Sequence, residues 1–238
     1  MPVHSLTFPD TDSKEYNSAR YHYLLQIIFG ETIATGFCDK MATFAPTNEA
    51  RNFLLQQQKE EDAHLELLTD YVSMHPRPQV SISPYLKKLD SFMVDALARK
   101  DYVECVFIQN FIVEGLNISL LRELEHHTDV NLSEMSRVIL KDEIGHMEFG
   151  VSELRRILKE DPSKELLRKL IKLHRKTLIY SALLAQDLKR EAKYLGIPMK
   201  ELTEKTLSEH YDRINRAQFP LPYIDRLLFR VILSFLNL

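Results

Sequence analysis

One arrangement of glutamate and histidine occurs twice in the 238-residue chain and restricts its fold more than any other feature. A lone glutamate precedes a Glu-x-x-His motif by 30 residues in the first copy and by 29 residues in the second. Residues three apart lie on one face of a helix, so each motif can direct a carboxylate and an imidazole to one point. The lone glutamates must then come from neighbouring helices. The six side chains are Glu31, Glu61, His64, Glu114, Glu143 and His146.

The surroundings of the two lone glutamates are unusual for charged residues. Glu114 interrupts an apolar seam that runs at helical spacing through residues 107–121, and Glu31 interrupts a similar seam. A buried carboxylate is costly unless it is paired or bound to a cation. A third Glu-x-x-His, at residues 123–126, has charged neighbours and no such seam, so we interpret it as solvated surface. The two copies with a lone glutamate therefore predict a buried cation site.

The charges of the six side chains indicate what the site binds. Four carboxylates carry a formal charge of -4 and two neutral imidazoles carry none, so two divalent ions balance the cluster. Mixed carboxylate and imidazole ligation suits iron or manganese, whereas structural zinc usually uses cysteine or more histidine. Four-helix bundles with this ligand arrangement form the di-iron and di-manganese carboxylate class. We therefore predict two iron ions, with manganese or a mixed pair as the alternative.

The pattern of apolar residues predicts an all-α fold. Apolar residues recur three and four apart over long stretches, only 6 residues are glycine, and no run shows sustained alternation. We predict one domain over residues 1–238, with a ligand-bearing four-helix bundle over about 15–159 and supporting C-terminal helices over about 162–236. Asp161-Pro162 resembles an N-cap with proline in the first turn. The predicted helices span about 15–44, 48–74, 84–98, 102–125, 132–159, 162–195, 200–219 and 222–236.

Composition is that of an ordinary globular chain, with 45% hydrophobic and 27% charged residues and a formal charge of -3. No bulk charge favours nucleic acid or an anionic membrane as partner. The N-terminus lacks a signal-peptide pattern, and the apolar C-terminal run is too short and too interrupted for a membrane span. Cys38 and Cys105 stand far apart, which suits a reducing compartment. We expect a cytoplasmic protein without a membrane span.

Four segments that contain the six residues resemble the cyanobacterial aldehyde-deformylating oxygenases. They are Ile28–Glu31, Lys59–His64, Ile108–Glu114 and Lys141–His146, and the resemblance covers about residues 16–158. It implies a ferritin-like bundle in which the six residues bind two irons, which use dioxygen and electrons from an external donor such as a ferredoxin or a flavin reductase. Gln109 and Asp142 also match. Asp142 is either a hydrogen-bond acceptor for a ligand imidazole or a surface acid.

The chain departs from that family near the expected substrate. No cysteine follows the first Glu-x-x-His, and Asn117 and Leu121 replace a small apolar residue and a tyrosine. A pocket polar group without a partner is costly. If the Asn117 amide and the Tyr23 hydroxyl face the pocket, the substrate should therefore carry a polar group of its own. The resemblance implies a pocket lined by Tyr23, Ile27, Gly30, Asn117, Leu120 and Leu121.

These observations favour a di-iron oxygenase or oxidase that activates dioxygen to oxidise a small or medium organic substrate, with a fatty aldehyde or a functionalised chain as candidates. The main alternative is bacterioferritin-like iron storage or peroxide detoxification. A ribonucleotide reductase subunit fits poorly, because Glu31 and Leu68 stand where that family typically has aspartate and tyrosine. A helical scaffold with a structural metal pair is a further alternative. We expect His210 to be solvated, and the sequence leaves the oligomeric state open, with a homodimer as one option.

Overall fold

The computed structural model describes residues 13–127 and 129–235, and its regular elements are all helical. The ends of these helices agree with the predictions to within a few residues, except at the points below; the predicted end at Leu236 lies outside the described residues. The elements are α1 Lys14–Ala42, α2 Asn48–Ser73, α3 Pro84–Ala98, α4 Tyr102–Val106, a π-helical segment Phe107–Val113, α5 Glu114–Glu125, α6 Val130–Glu160, α7 Lys164–Asp187, α8 Lys189–Tyr194, α9 Met199–Arg216 and α10 Tyr223–Phe235.

Two helical pairs form the centre of the fold. Helix α1 packs along α2, and the π-helical segment and α5 pack along α6, while α2 and α6 bring the two pairs together. Helices α7 and α9 pack against the second pair, and α10 packs against α7. The buried apolar residues form one cluster that extends from Tyr16 in α1 to Phe229 in α10. The prediction of an all-α bundle with additional C-terminal helices is confirmed.

Short polar side chains determine where several helices begin. Ser13 and Thr47 each accept a hydrogen bond from the backbone amide three residues later, which satisfies an amide that has no intrahelical partner. The predicted cap at Asp161-Pro162 is wrong. Ser163 caps α7 instead, and the Asp161 carboxylate accepts a hydrogen bond from the Ser163 amide. The long helix predicted over 162–195 is also divided, since α7 ends at Asp187 and α8 begins at Lys189.

The helix predicted over 102–125 contains a π-helical segment of seven residues, Phe107–Val113. Such segments are rare and are frequently found at functional sites. Gly150 of α6 allows the close approach of the two backbones, because a Cβ there would lie 2.5 Å from the carbonyl carbon of Asn110. The run Tyr102–Glu125 is long and apolar enough to cross a membrane, but 67% of its most apolar window is buried within the described fold. We therefore interpret it as the core helix of the bundle.

Candidate metal centre

The six glutamate and histidine residues of the doubled motif meet in the middle of the bundle, each at most 3% exposed. They form two groups of four, and the ligand atoms of each group lie within 4.8 Å of one another. Glu61 and Glu143 belong to both groups, so the site has the form of two adjacent positions that share two carboxylates. The first group is Glu31, Glu61, His64 and Glu143; the second is Glu61, Glu114, Glu143 and His146.

Both histidines present Nδ1 to the carboxylates at the centre. His64 Nδ1 lies 3.5 Å from Glu61 Oε2 and 3.6 Å from Glu31 Oε2. His146 Nδ1 lies 3.3 Å from both Glu61 Oε1 and Glu143 Oε2. Since the same nitrogen points inward on both rings, Nδ1 is the atom that each histidine can offer to a metal ion.

The outward Nε2 atoms contact two further acids. His64 Nε2 lies 3.3 Å from Asp142 Oδ2, and His146 Nε2 lies 2.9 Å from Glu60 Oε2. Such a contact fixes the ring and leaves the lone pair on Nδ1 when Nε2 carries the proton. These contacts are crosswise between the two motifs. Glu60 precedes the glutamate of the first motif and contacts the histidine of the second, while Asp142 precedes the glutamate of the second motif and contacts the histidine of the first. Asp142 was anticipated from the sequence and Glu60 was missed.

Side-chain amides hold the carboxylates in place. Gln57 Nε2 donates to Glu61 Oε1 at 3.0 Å and to Glu114 Oε1 at 2.8 Å. Gln109 Nε2 also donates to Glu114 Oε1, at 2.8 Å. Gln57 is itself held, because Asn110 Nδ2 donates to its Oε1 at 2.7 Å. Glu114 is therefore fixed by a connected amide network, of which the sequence suggested only Gln109.

The Asn117 amide also contacts the carboxylates. Its Nδ2 lies 3.1 Å from Glu143 Oε1 and 3.4 Å from Glu31 Oε1. The Nδ2 group therefore already has partners among the six residues, while the expected polar group on the substrate stays a prediction.

The electrostatics of the cluster show an excess of negative charge. Burial, together with neighbouring carboxylates, raises the pKa of Glu31, Glu114 and Glu143 well above the usual range. Burial opposes ionisation of His64 too, but the nearby Glu31 and Glu61 carboxylates outweigh it and raise its pKa to about 11. The pKa of Glu61 is lowered to about 2 despite its burial, because His64 lies beside it. When no metal ion is bound, bound protons neutralise the negative charge of the carboxylates.

These residues fit a pair of divalent cations. Glu31 Oε2 and His64 Nδ1 are buried without a hydrogen-bond partner among the described residues, and both face the first group. Buried polar atoms are rarely left without partners. Two ions would meet these atoms and neutralise the acids, and the carboxylate and imidazole donors suit iron or manganese.

Two sequence expectations and one cysteine concern residues around the site. The third motif is absent from the two groups, and its His126 is exposed, as expected. Cys38 is fully buried, and burial together with the acids of the cluster raises its pKa, so the thiol stays neutral. The expectation of a solvated His210 is wrong: its Nε2 lies 2.9 Å from Nε2 of the buried His174.

An apolar cavity, here the inner cavity, lies against the cluster and has a volume of about 110 Å³. Glu31, Glu61 and Glu114 form part of its wall. Five of the six predicted pocket residues line it: Tyr23, Ile27, Gly30, Asn117 and Leu120.

Leu121 is the exception among the predicted pocket residues. It is fully buried in the hydrophobic core and does not line the inner cavity. Gly30 contributes free space, since a Cβ there would meet no atom within 4 Å.

The helical architecture and the carboxylate and histidine cluster define a ferritin-like protein. A family model described as a ferritin-like domain of actinomycetes matches residues 14–199, and the chain belongs to this family. No curated protein matches the sequence significantly. Among solved structures, the fold is similar to that of a Synechococcus protein, "Protein 19 with aldehyde deformylating oxidase activity", with a TM-score of 0.77 and 17% identity. The match covers 95% of this chain and 99% of the other, and it supports the predicted ferritin-like fold.

Proposed function

We propose that this chain is a dinuclear-metal oxygenase or oxidase that uses dioxygen to oxidise an organic molecule held in the inner cavity. The observation that carries the proposal is the direct contact between this apolar cavity and both ligand groups, through Glu31, Glu61 and Glu114. A binding site for an organic molecule is typically apolar with a few convergent polar groups.

In this proposal the six residues divide the binding of two irons. Glu31 and His64 would hold one ion, Glu114 and His146 would hold the other, and Glu61 and Glu143, which belong to both groups, would contribute to both. When bound, the two irons would supply open coordination positions and electrons for the reduction of dioxygen. Manganese in one or both positions is compatible with the same donors.

The protein's own contribution is orientation and exclusion of water. Asp142 and Glu60 hold the two imidazoles so that Nδ1 faces inward, and Gln57 and Gln109 fix the Glu114 carboxylate. The near-complete burial of the cluster keeps bulk water from the reacting atoms. We further propose that electrons come from an external donor, such as a ferredoxin or a flavin reductase.

The inner cavity suits the alkyl part of a small or medium substrate. Ile27, Leu89, Met93 and Leu120 are among its apolar wall residues. A fatty aldehyde and a functionalised chain remain the two candidate classes. The similarity to the Synechococcus protein favours an aldehyde, although the two chains differ at most positions.

The experiment supplies the iron-loaded protein with a reductant, dioxygen and a panel of long-chain aldehydes, alcohols and acids. We expect at least one class to accelerate dioxygen consumption and to yield an oxidised or shortened product. Glu114→Ala should abolish this acceleration, while Glu123→Gln, in the solvated third motif, should not change it. Uptake of far more than two irons per chain, with no acceleration by any compound, would instead indicate storage.

A further inference from the structure

A second apolar cavity adjoins the inner one and is called the outer cavity here. It lies between α7, α9 and α10, has a volume of about 130 Å³, and is bounded by residues such as Leu178, Leu202 and Phe229. The two cavities have five wall residues in common: Tyr23, Leu116, Leu120, Leu184 and Leu188. A molecule that occupied both would therefore pass these five residues on its way from the cluster towards the C-terminal helices.

Most polar side chains of the outer cavity already have partners. The hydroxyl groups of Ser181, Thr203 and Thr206 each donate to a backbone carbonyl one turn earlier in their own helix. His210 is paired with His174. These groups can therefore line the outer cavity without a hydrogen bond to a bound molecule.

Tyr23 is different, and it stands where the two cavities meet. Its ring is 2% exposed, and its hydroxyl has no hydrogen-bond partner among the described residues. Burial, and to a smaller extent the charge of Glu123, raises the pKa of Tyr23, so the phenol stays protonated and can donate. Buried tyrosine hydroxyls usually have a partner. A ligand atom is one candidate for the missing acceptor.

Among the described residues of these walls, one other fully buried neutral polar atom has no hydrogen-bond partner, but it lies elsewhere. Gln109 Oε1 is buried and unpaired, while Nε2 of the same side chain donates to Glu114. Gln109 lines the inner cavity only, on the side of the cluster. Of the five wall residues that the two cavities share, Tyr23 is the polar one.

We propose that the Tyr23 hydroxyl recognises an oxygen function in the interior of an elongated apolar substrate that fills both cavities. The oxygen would be a carbonyl, ether or hydroxyl group that accepts the phenolic hydrogen bond partway along the chain. This inference rests on the proposed function only for the statement that the chain end in the inner cavity is the one oxidised. A plain hydrocarbon chain would leave the hydroxyl without a partner.

The test uses the full-length protein and a scan of matched ligands. The probes are a long-chain primary alcohol and the isomers in which one methylene group at a time is replaced by an ether oxygen. Equilibrium dialysis gives the dissociation constant of each probe for the wild type and for Tyr23→Phe. Neither dioxygen nor turnover is required, so the result is independent of the proposed oxidation.

For each probe, we compare the ratio of the dissociation constant of Tyr23→Phe to that of the wild type. We expect this ratio to be about tenfold larger for one ether isomer than for the parent alcohol. A tenfold change is typical of the loss of a buried hydrogen bond. The parent alcohol should bind the variant as well as the wild type, or better. Equal ratios at every ether position would overturn the proposal, as would failure of all the probes to bind.

Thermal unfolding separates recognition from a structural role. Tyr102 is the matched control, because its hydroxyl is buried and donates to Glu153 Oε1 at 2.9 Å. We expect Tyr102→Phe to lower the melting temperature and Tyr23→Phe to leave it unchanged or to raise it. An equal loss in both variants would show that the Tyr23 hydroxyl has an internal partner, and the proposal would fail. Absence of metal or of oxidase activity would refute only the proposed function.

Discussion

The two ligand groups of the candidate metal centre contain the same types of residue but differ in how firmly they are held. Glu114, in the second group, accepts two hydrogen bonds of 2.8 Å, from Gln57 and Gln109. Glu31, in the first, has longer contacts, of 3.4 Å from Asn117 Nδ2 and 3.6 Å from His64 Nδ1, and its Oε2 has no hydrogen-bond partner among the described residues. The comparison indicates one preorganised position and one adaptable position.

The π-helical segment provides a structural reason for the difference. It carries the hydrogen bond from the Glu114 amide to the Gln109 carbonyl, five residues earlier, which brings the two side chains together. In α1 the residue five positions before Glu31 is also a glutamine, Gln26. Helix α1 is an ordinary α-helix there, and the Gln26 Oε1 accepts from the Ser83 amide instead. The same sequence spacing thus supports a ligand only in the second copy.

The largest effect should follow from removing a carboxylate that both groups share. We expect Glu61→Ala to lower the metal content from about two ions per chain to below one, because Glu61 belongs to both groups. His64→Ala and His146→Ala should each cost one ion. Elemental analysis after iron loading measures the content, with Glu123→Gln as the control. Retention of one full equivalent by Glu61→Ala would show that the two positions are independent.

The next largest effect concerns the crosswise contacts to the histidines. We expect Glu60→Gln to weaken the ion near His146, and Asp142→Asn the ion near His64, each by roughly 10- to 100-fold. Competition with a chelator measures the two dissociation constants. If both variants weaken the same ion, the crosswise arrangement is not what orients the rings.

Metal binding should depend on pH in a defined direction. The raised pKa values of Glu31, Glu114, Glu143 and His64 mean that the metal-free site holds protons, which the ions must displace. Affinity should therefore fall as the pH falls, by about tenfold per unit for each proton released. Calorimetry in buffers of different ionisation enthalpy counts these protons. Glu31→Gln should release fewer, and proton uptake on binding would contradict the assignment.

The smallest effect is expected at Asn117, because a single amide group is shared between two carboxylates and one of its two contacts, at 3.4 Å, is long. Asn117→Leu should weaken metal binding by about 1 kcal/mol or less, at both positions, because its shorter contact is with Glu143, which both groups share. The substitution should not weaken binding of an alkyl chain, since the Asn117 amide donates to the carboxylates rather than to the substrate. A loss as large as that of Glu60→Gln would remove the distinction between the preorganised and adaptable positions.

The sequence predicted the six residues of the centre because side chains three apart on a helix must share a face. The same reasoning could have found Glu60, since Lys-Glu-Glu and Lys-Asp-Glu begin the two motifs alike. The π-helical segment gave no signal, because its apolar spacing also fits an ordinary helix. His210 was misjudged since its partner, His174, is 36 residues away and belongs to another helix.

The pocket was predicted less well than the metal centre. Five of its six residues line the inner cavity, while Leu121 is fully buried in the hydrophobic core. The outer cavity could not be foreseen, since its walls come from helices that meet only in the folded chain. Tertiary packing determines the position of Leu121 and the walls of the outer cavity, and the pattern of a single sequence does not predict that packing.

Anomalous diffraction from crystals of the iron-loaded protein tests the central claim most directly. The account predicts two peaks at the iron absorption edge, roughly 3.5–4 Å apart. One should lie within bonding distance of Glu31 and His64, the other of Glu114 and His146, with Glu61 and Glu143 between them. A single peak in fully loaded crystals, or metal bound away from these six residues, would contradict the account.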